Sequence, residues 1–187
     1  MNHAIFKVLI FLRHTNIVSK VLDGNIIVDG DSIHSDAYIE KLKDKLSVKE
    51  ILKFADMLTE QDGEKIFAMQ VEANSAIAEE GLTGDYGARV GQTLLKSRGG
   101  KSVQARAVAK AAAGSDARMN GCIMPVVINS GSGNQGITVT VPVVEYVKDM
   151  GLSKDMLYKA LSISNLISIH IKHHIGKLSA FCGAVSA

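Results

Sequence analysis

Tryptophan is absent from this 187-residue sequence, prolines and cysteines number two each, and aromatic residues make up only 5%. Two cysteines are too few for the disulfide framework of a small secreted protein, so we expect the chain in a reducing cytoplasm. With so few large rings, Ala, Ile, Val and Leu must fill the core. Such a core favours closely packed helices, because small side chains let two backbones approach each other.

Neither sign of charge predominates, because the sequence has 21 basic and 19 acidic residues and a net charge of +2. The sequence therefore carries no basic field that would hold a nucleic acid. No hydrophobic run approaches the length of a membrane span. The apolar N-terminus is interrupted by Lys7 and lacks both the basic start and the cleavage site of a signal peptide. We expect neither a nucleic-acid partner nor a membrane partner.

A change of pattern near residue 35 predicts an α+β fold. Residues 4 to 29 are apolar and β-branched, with a hairpin signal at Asp23-Gly24. From about Asp36 the hydrophobic period becomes helical. We therefore expect a β-rich segment over residues 1–35, the remnant of an α/β domain. Residues 36–187 are expected to form a mainly α-helical, catalytic-type domain that is truncated at its C-terminus.

Short signals predict where the helices begin and end. Ser47 begins a capping box with Glu50, and Ser153 is expected to cap a later helix that Gly176 ends. Gly81 is expected to be the C-cap of the helix before it. The first of these helices should bury one face, formed by Ile51, Phe54, Ala55 and Leu58, and a further helix is expected over "YGARVGQTLLKS".

The most unusual stretch is "NSGSGNQGITVTVPVV", residues 129–144. If a helix begins near Asn134, its free backbone amides face the glycine-rich loop, and the helix dipole favours an anion there. The loop has neither the Gly-Lys-Ser/Thr ending of a nucleotide-binding P-loop nor a dinucleotide fingerprint. It is either an anion site, suited to a carboxylate or phosphate, or a simple connector.

Pro142 lies in a segment whose valines have strand propensity. We expect residues 133–150 to be helical and mostly buried, because Ile137, Val141 and Val144 suit a buried helix face. Proline then removes one helical hydrogen bond and bends the rod. A strand is the alternative interpretation.

Three other groups of residues invite a chemical interpretation. His170 and His174 share a helix face at the spacing of two metal ligands. They are either metal ligands or surface residues at a helix end that bind no metal. Asp116 and Arg118 either form a structural ion pair that caps a helix or reach the loop. Cys122, and Cys182 taken by itself, read as small hydrophobic residues.

Several stretches together resemble the L-cysteine desulfidase family, whose members are related to the iron–sulfur L-serine dehydratase α chain. The resemblance covers most of the chain, and the chain is similar only to the later-middle part of a family member. It lies in "HTNIV" (14–18), "AIAEEGL" (76–82), "YGARVG" (86–91), "SDARMNGCIMPVVINSGSGNQGITVTVPVV" (115–144) and "IGKLSAFCGAVSA" (175–187).

The resemblance implies a pyridoxal-independent lyase of amino-acid catabolism. Such enzymes eliminate sulfide from cysteine or water from serine, and they release pyruvate and ammonia. A [4Fe–4S] cluster held by three cysteines supplies a Lewis acid in the full-length family. By this resemblance Cys182 is a metal ligand, and the substrate-binding residues are Asn129, Ser130, Gly131, Ser132, Gly133, Asn134 and Gln135.

The sequence also departs from the family pattern. The other two cluster cysteines and the Gly-Cys-Thr-Glu-Pro motif, which carries the family's proposed base, are missing. No catalytic residue is therefore assigned. We expect an inactive fragment of a lyase, without a cluster of its own, that takes cysteine or serine as substrate and works with a complementary chain or as a homodimer. The alternative is a non-catalytic small-molecule-binding or assembly module that has lost the cluster.

Overall fold

The computed structural model describes residues 6–10, 17–29, 39, 41–176 and 181–186. Contacts within the chain divide it into two compact units, Met1–Lys45 and Leu46–Ala187. The predicted boundary between residues 35 and 36 lies outside the described residues and stays a prediction.

The first unit contains a three-stranded antiparallel sheet. Its strands are β1 (Phe6–Ile10), β2 (Ile17–Leu22) and β3 (Asn25–Asp29), in the order β1-β2-β3. Asp23 and Gly24 join β2 to β3 with φ angles of 49° and 84°. Two consecutive positive φ angles match the twist of a two-residue hairpin, so the predicted hairpin is confirmed.

The second unit is helical, which confirms the α+β, mainly helical fold class. Its helices are α1 (Val48–Met57), α2 (Glu60–Thr83), α3 (Val90–Arg98), α4 (Val103–Met119), α5 (Gly133–Asp149), α6 (Lys154–Ile175) and α7 (Gly183–Ser186). Within the described parts of the chain, no helix combines the length and apolar character needed to cross a membrane.

Most of these helices begin at a hydroxyl side chain. Ser47, Ser102, Ser132 and Ser153 each accept a hydrogen bond from the backbone amide three residues further on. Such a cap satisfies an amide that has no partner inside the helix. The predicted caps at Ser47 and Ser153 are confirmed, and so is the helix end at Gly176.

Helix α3 begins later than the sequence suggested. Gly87 and Arg89 have left-handed φ angles of 51° and 52°, so the "YGAR" stretch turns instead of starting a helix. Arg89 offers no side-chain cap. The Oδ2 atom of Asp116 accepts from the Val90 amide at 2.8 Å in its place.

Small residues let α2, α4 and α5 pack closely, as the composition predicted. Alternate buried alanines run along α4, and one apolar cluster joins the three helices; it comprises Ile77, Ala78, Ala117, Ile137 and Val141.

Gly81 lies inside α2, so its prediction as a C-cap is wrong. The helix continues to Thr83, and the amide of Gly84 closes it by donating to the Glu80 carbonyl at 2.8 Å. A Cβ atom on Gly81 would overlap the carbonyl oxygen of Ala113 in α4. This glycine therefore permits a backbone contact between two helices and does not end one.

The apolar face of α1 is narrower than predicted. Ile51, Ala55 and Leu58 are buried, but Phe54 is 46% exposed. Helix α1 packs only against α6 among the described elements, and a single neighbour covers a narrow stripe.

Helix α5 confirms that residues 133–149 are helical and mostly buried despite their valines. The strand interpretation is wrong, because burial between α2, α4 and α6 outweighs the local β propensity. Pro142 lies inside this helix and cannot donate to the Thr138 carbonyl. The predicted bend stays a prediction.

A partly buried charged cluster joins α2, α4 and α5. The Nζ atom of Lys110 in α4 lies 2.6 Å from Glu79 of α2 and 2.6 Å from Glu145 of α5. Burial acts to lower the pKa of Lys110, but the hydrogen bonds to Glu145 and Glu79 outweigh it and raise that pKa.

We expect Gly81→Ala to lower the free energy of unfolding by about 1–3 kcal/mol, because the new methyl group drives α2 away from α4. Gly114→Ala at the same interface is the matched control, since its Cβ would meet Ala78 Cα at 3.2 Å. There the helical preference for alanine, about 1 kcal/mol, offsets a tight contact. Urea unfolding of both variants measures the difference, and equal stabilities would contradict the close approach at Gly81.

Candidate functional site

The chain enters α5 through a tight turn at Asn129–Ser132. The amide of Asn129 donates to the Ser132 carbonyl at 3.1 Å, and the Ser132 amide donates back at 2.9 Å. Between them, Ser130 and Gly131 have φ angles of 48° and 83°. A serine in the left-handed region is uncommon, which makes this turn a strained feature that its surroundings must hold.

Free backbone amides surround the start of α5. Among the described residues, no acceptor pairs with the amides of Ser130, Gly131, Gly133 or Asn134. They lie at the positive end of a 17-residue helix. The turn and the first turn of α5 therefore present the geometry that suits an anion.

A buried polar network supports the turn from below. The Nε2 atom of Gln135 donates to Asn129 Oδ1 at 3.0 Å and to Ser168 Oγ at 2.6 Å. The Nδ2 atom of Asn129 donates to Asn165 Oδ1 at 2.9 Å. Asn129 and Gln135 are 4% and 0% exposed. These two predicted binding residues therefore hold the turn onto α6, and their side chains do not face solvent.

Asn74 of α2 fixes the extended segment that leads into the turn. Its Oδ1 atom accepts from the Val127 amide at 2.8 Å, and its Nδ2 atom donates to the Val127 carbonyl at 3.0 Å. The Asn74 side chain thus pairs with Val127 as a neighbouring strand would. A Cβ on Gly136 would overlap the Val127 carbonyl oxygen, so glycine is needed where this segment crosses α5.

Sequence reasoning missed the polar residues that hold the turn from α2 and α6, which are Gln70, Asn74, Asn165 and Ser168. Gln70 joins the same network by donating to Thr140 Oγ1 at 2.6 Å and Asn165 Oδ1 at 3.1 Å. The sequence did contain a signal for two of them, because Gln70 and Asn74 share the helical face of Ile77, Ala78 and Gly81. Amides on an apolar helix face predict buried hydrogen bonds.

Arg118 reaches the turn from the last turn of α4. Its Nη1 atom donates to Asn134 Oδ1 at 3.2 Å, and a Cβ on Gly133 would overlap its Nε atom. Of the two interpretations of Asp116 and Arg118, the structural ion pair is wrong, since Asp116 caps α3 instead. Arg118 does reach the loop, as the other interpretation predicted.

The residue after Cys182 packs against the start of α5. Cys182 is exposed, whereas Gly183 is buried, and a Cβ there would overlap Gln135 Oε1. That oxygen is itself buried and accepts no hydrogen bond from the described residues. The carbonyl before Cys182, that of Phe181, accepts from Lys172 Nζ at 3.3 Å. The predicted metal ligand therefore lies one residue from a direct contact with the predicted binding loop.

An open cavity of about 410 Å³ lies between α5, α6 and α7. Ser168, which accepts from Gln135, lines one side of it, and Ala184 lines another. The cavity and the turn thus share the same supporting network.

The described residues do not fit a [4Fe–4S] cluster. They contain no group of three or more His, Cys, Asp or Glu side chains placed to hold a metal. The rings of His170 and His174 lie 4.8 Å apart, as the shared face predicted, but no third ligand joins them in the described part of the chain.

Cys122 belongs to the protein interior more than to the site. It is half-buried and packs against the cluster around Ile77. Hydrogen bonding to Cys122, and then to Glu80, raises the pKa of Tyr86 to about 12. Its prediction as a small hydrophobic residue is thus confirmed in its packing, although its thiol also contacts a phenol.

Comparisons with known proteins agree on one family. Residues 33–187 match the model described as serine dehydratase alpha chain. A UPF0597 protein of Desulfitobacterium hafniense is 50% identical over 176 residues, which cover 93% of this chain and 40% of that protein. A UPF0597 protein of Finegoldia magna is 44% identical over 176 residues, covering 94% of this chain and 41% of that protein. The chain thus spans about two fifths of the length of these curated relatives. No solved structure gives a significant match.

We expect Gly183→Ala to detach α7 from α5, because the new methyl group overlaps the fixed Gln135 Oε1. Amide exchange at Val185 and Ser186, which donate to the Cys182 carbonyl, should then speed up by about tenfold or more. Adding Gln135→Ala makes room for the methyl group and should restore part of the protection. Unchanged amide exchange in Gly183→Ala would show that the contact between Gly183 and Gln135 does not stabilise α7.

We also expect this chain to hold no stoichiometric [4Fe–4S] cluster after anaerobic reconstitution, because one cysteine ligand cannot retain it. The measurement is visible absorbance together with iron and sulfide content. A stoichiometric cluster that disappears in Cys182→Ala would contradict the expectation and would indicate that two chains pool their ligands.

Proposed function

The chain belongs to the serine dehydratase alpha chain family, and on this premise we propose that it carries the substrate-binding part of a lyase. The substrate is a small amino acid, L-cysteine or L-serine. The observation that most supports this proposal is the turn at Asn129–Ser132, whose free amides meet those at the start of α5. A carboxylate is the group common to both substrates.

The predicted binding residues have three roles in this proposal. The amides of Ser130, Gly131, Gly133 and Asn134 contact the carboxylate. Asn129 and Gln135 are too deeply buried to do so, and they keep the turn in its left-handed conformation. Ser132 caps the helix, which directs the first amides of α5 toward the ligand.

The energies are adequate for weak binding without further groups. An anion at a helix start gains roughly 0.3–1 kcal/mol when exposed and up to about 2 when partly buried. Hydrogen bonds to a charged group contribute about 1.5–3 kcal/mol each. Two such contacts reach the roughly 4 kcal/mol that corresponds to millimolar affinity.

A lyase of this kind removes the substrate's α-proton and breaks the bond from the β-carbon to sulfur or oxygen, which leaves as sulfide or water. The resulting enamine tautomerises to an imine, which hydrolyses to pyruvate and ammonia. In the family's iron–sulfur members the cluster would act on the leaving group. The described residues do not form a cluster site, so the role proposed for them is limited to binding and orienting the amino acid. The rest of the reaction would need a complementary chain or a homodimer, in the cytoplasm.

One observation favours the second candidate function, a non-catalytic binding or assembly module. Cys182, the one predicted cluster ligand in this sequence, is exposed and has no group of partner ligands among the described residues. Binding of an amino acid without turnover in the presence of the remaining family segments would favour this module over the lyase.

We expect Asn134→Ala to weaken binding of L-serine and L-cysteine by about tenfold or more, since it removes a half-buried amide beside the proposed carboxylate position. Calorimetric titration of the chain with each amino acid measures this effect. The matched control is Gln104→Ala, which removes an exposed amide from α4.

Acetate serves as the ligand that has only the carboxylate. If the unchanged chain binds neither L-serine nor L-cysteine, the turn is a connector and the proposed function is wrong. If it binds them and Asn134→Ala binds them equally well, the Asn134 side chain takes no part and the backbone amides alone hold the carboxylate. An unchanged free energy of unfolding in Asn134→Ala would exclude a loss of the fold as the cause of weaker binding.

A further inference from the structure

We propose that Arg118 is the cation that pairs with the substrate's carboxylate, and that it makes the site selective for ligands carrying a negative charge. This inference rests on the proposed function and deepens it, because it assigns the charge selectivity to one residue. The sequence indicated only, as one of two interpretations, that Arg118 reaches the loop, and gave it no role in binding, since it precedes the loop by eleven residues and belongs to α4.

The guanidinium lies directly on the first turn of α5. Gly133 has no side chain, and a Cβ there would overlap the Arg118 Nε atom, so the arginine occupies the space that a side chain would take. Its Nη1 atom donates to Asn134 Oδ1 at 3.2 Å. These two contacts fix a positive charge beside the amides that have no acceptor.

This arrangement places like charges together. Basic side chains are disfavoured at a helix start, because the free amides there already carry partial positive charge. The last turn of α4 attracts Arg118 with the opposite sign, and this attraction explains how the arginine is tolerated but not why it lies over α5. An anion bound between the guanidinium and the amides would be attracted by both.

No carboxylate among the described residues forms an ion pair with Arg118. Asp116, two residues earlier in α4, accepts from the Val90 amide instead. Other cations of α4 differ, since Arg106 pairs with Glu145 and Asp149, and Lys110 pairs with Glu79 and Glu145. No carboxylate of the described residues therefore neutralises the charge of Arg118, and that charge is available to a ligand.

The competing interpretation is that Arg118 only holds Asn134 in place. In that case its hydrogen bond matters and its charge does not. The two interpretations differ in how binding responds to salt, because added ions screen a charge–charge attraction at a half-exposed site.

The experiment compares Arg118→Met, Arg118→Lys and Asn134→Ala with the unchanged chain. Each is titrated by calorimetry with L-serine, L-cysteine and acetate over a series of sodium chloride concentrations. We expect Arg118→Met to bind all three ligands about tenfold or more weakly and to lose the salt dependence. Arg118→Lys should recover part of the affinity, and Asn134→Ala should bind weakly but retain the salt dependence.

Two results would overturn the inference. One is unchanged affinity in Arg118→Met, and the other is weaker binding in Arg118→Met with the salt dependence intact. Urea unfolding checks the fold of each variant. If Arg118→Met does not fold, Arg118→Lys decides, because it keeps the charge, and loss of all binding in that variant would favour the structural role.

The outcomes also separate this inference from the proposed function. Arg118-dependent binding of acetate without binding of either amino acid would support a charge-selective site and refute the lyase proposal. Binding of L-serine or L-cysteine that ignores Arg118 would leave the proposed function standing and refute the inference. No binding of any ligand by the unchanged chain would refute both.

Discussion

The pairing of Asn74 with Val127 is the interaction on which the candidate site depends. A fully buried side-chain amide satisfies both the N–H and the C=O of one backbone residue, and its Nδ2 atom also lies 3.0 Å from the Gly136 carbonyl. An unpaired buried amide or carbonyl costs about 1–3 kcal/mol. Because Asn74 removes these costs at the crossing of α2, the extended segment and α5, the turn at Asn129–Ser132 can follow directly.

Around this crossing, glycine residues permit close approach and buried side-chain amides supply hydrogen bonds. Gly81, Gly133 and Gly136 each leave room for a backbone or a guanidinium where a side chain would overlap. The buried amides of Gln70 and Gln135 then fill hydrogen-bonding positions that a purely apolar core would leave empty. A core with few aromatic rings thus reaches a specific geometry through close backbone contacts and a connected polar network.

The sequence predicted the features that depend on neighbouring residues. Ser47 and Ser153 cap their helices within three residues, Asp23-Gly24 forms its own turn, and a helix does begin near Asn134. Features that depend on distant partners were missed or wrong. Gly81 was taken for a helix end because its partner, Ala113, lies on another helix, and the role of Asn74 required knowledge of which segments cross. The contact of Arg118 with the loop was only one of two interpretations, because tertiary packing alone brings the end of α4 to the loop.

The separation along the chain between Asn74 and its partners bears on the order of folding. Val127 is 53 residues away and Gly136 is 62 residues away, so both hydrogen bonds close large loops. Closing such loops costs chain entropy before any contact compensates for it, and contacts of high sequence separation form late in many small proteins. The contacts that support the turn therefore exist only once the helices have met. We infer that the turn takes its shape in the same cooperative step that assembles α2, α5 and α6, and that a peptide of this segment alone would lack the proposed carboxylate site.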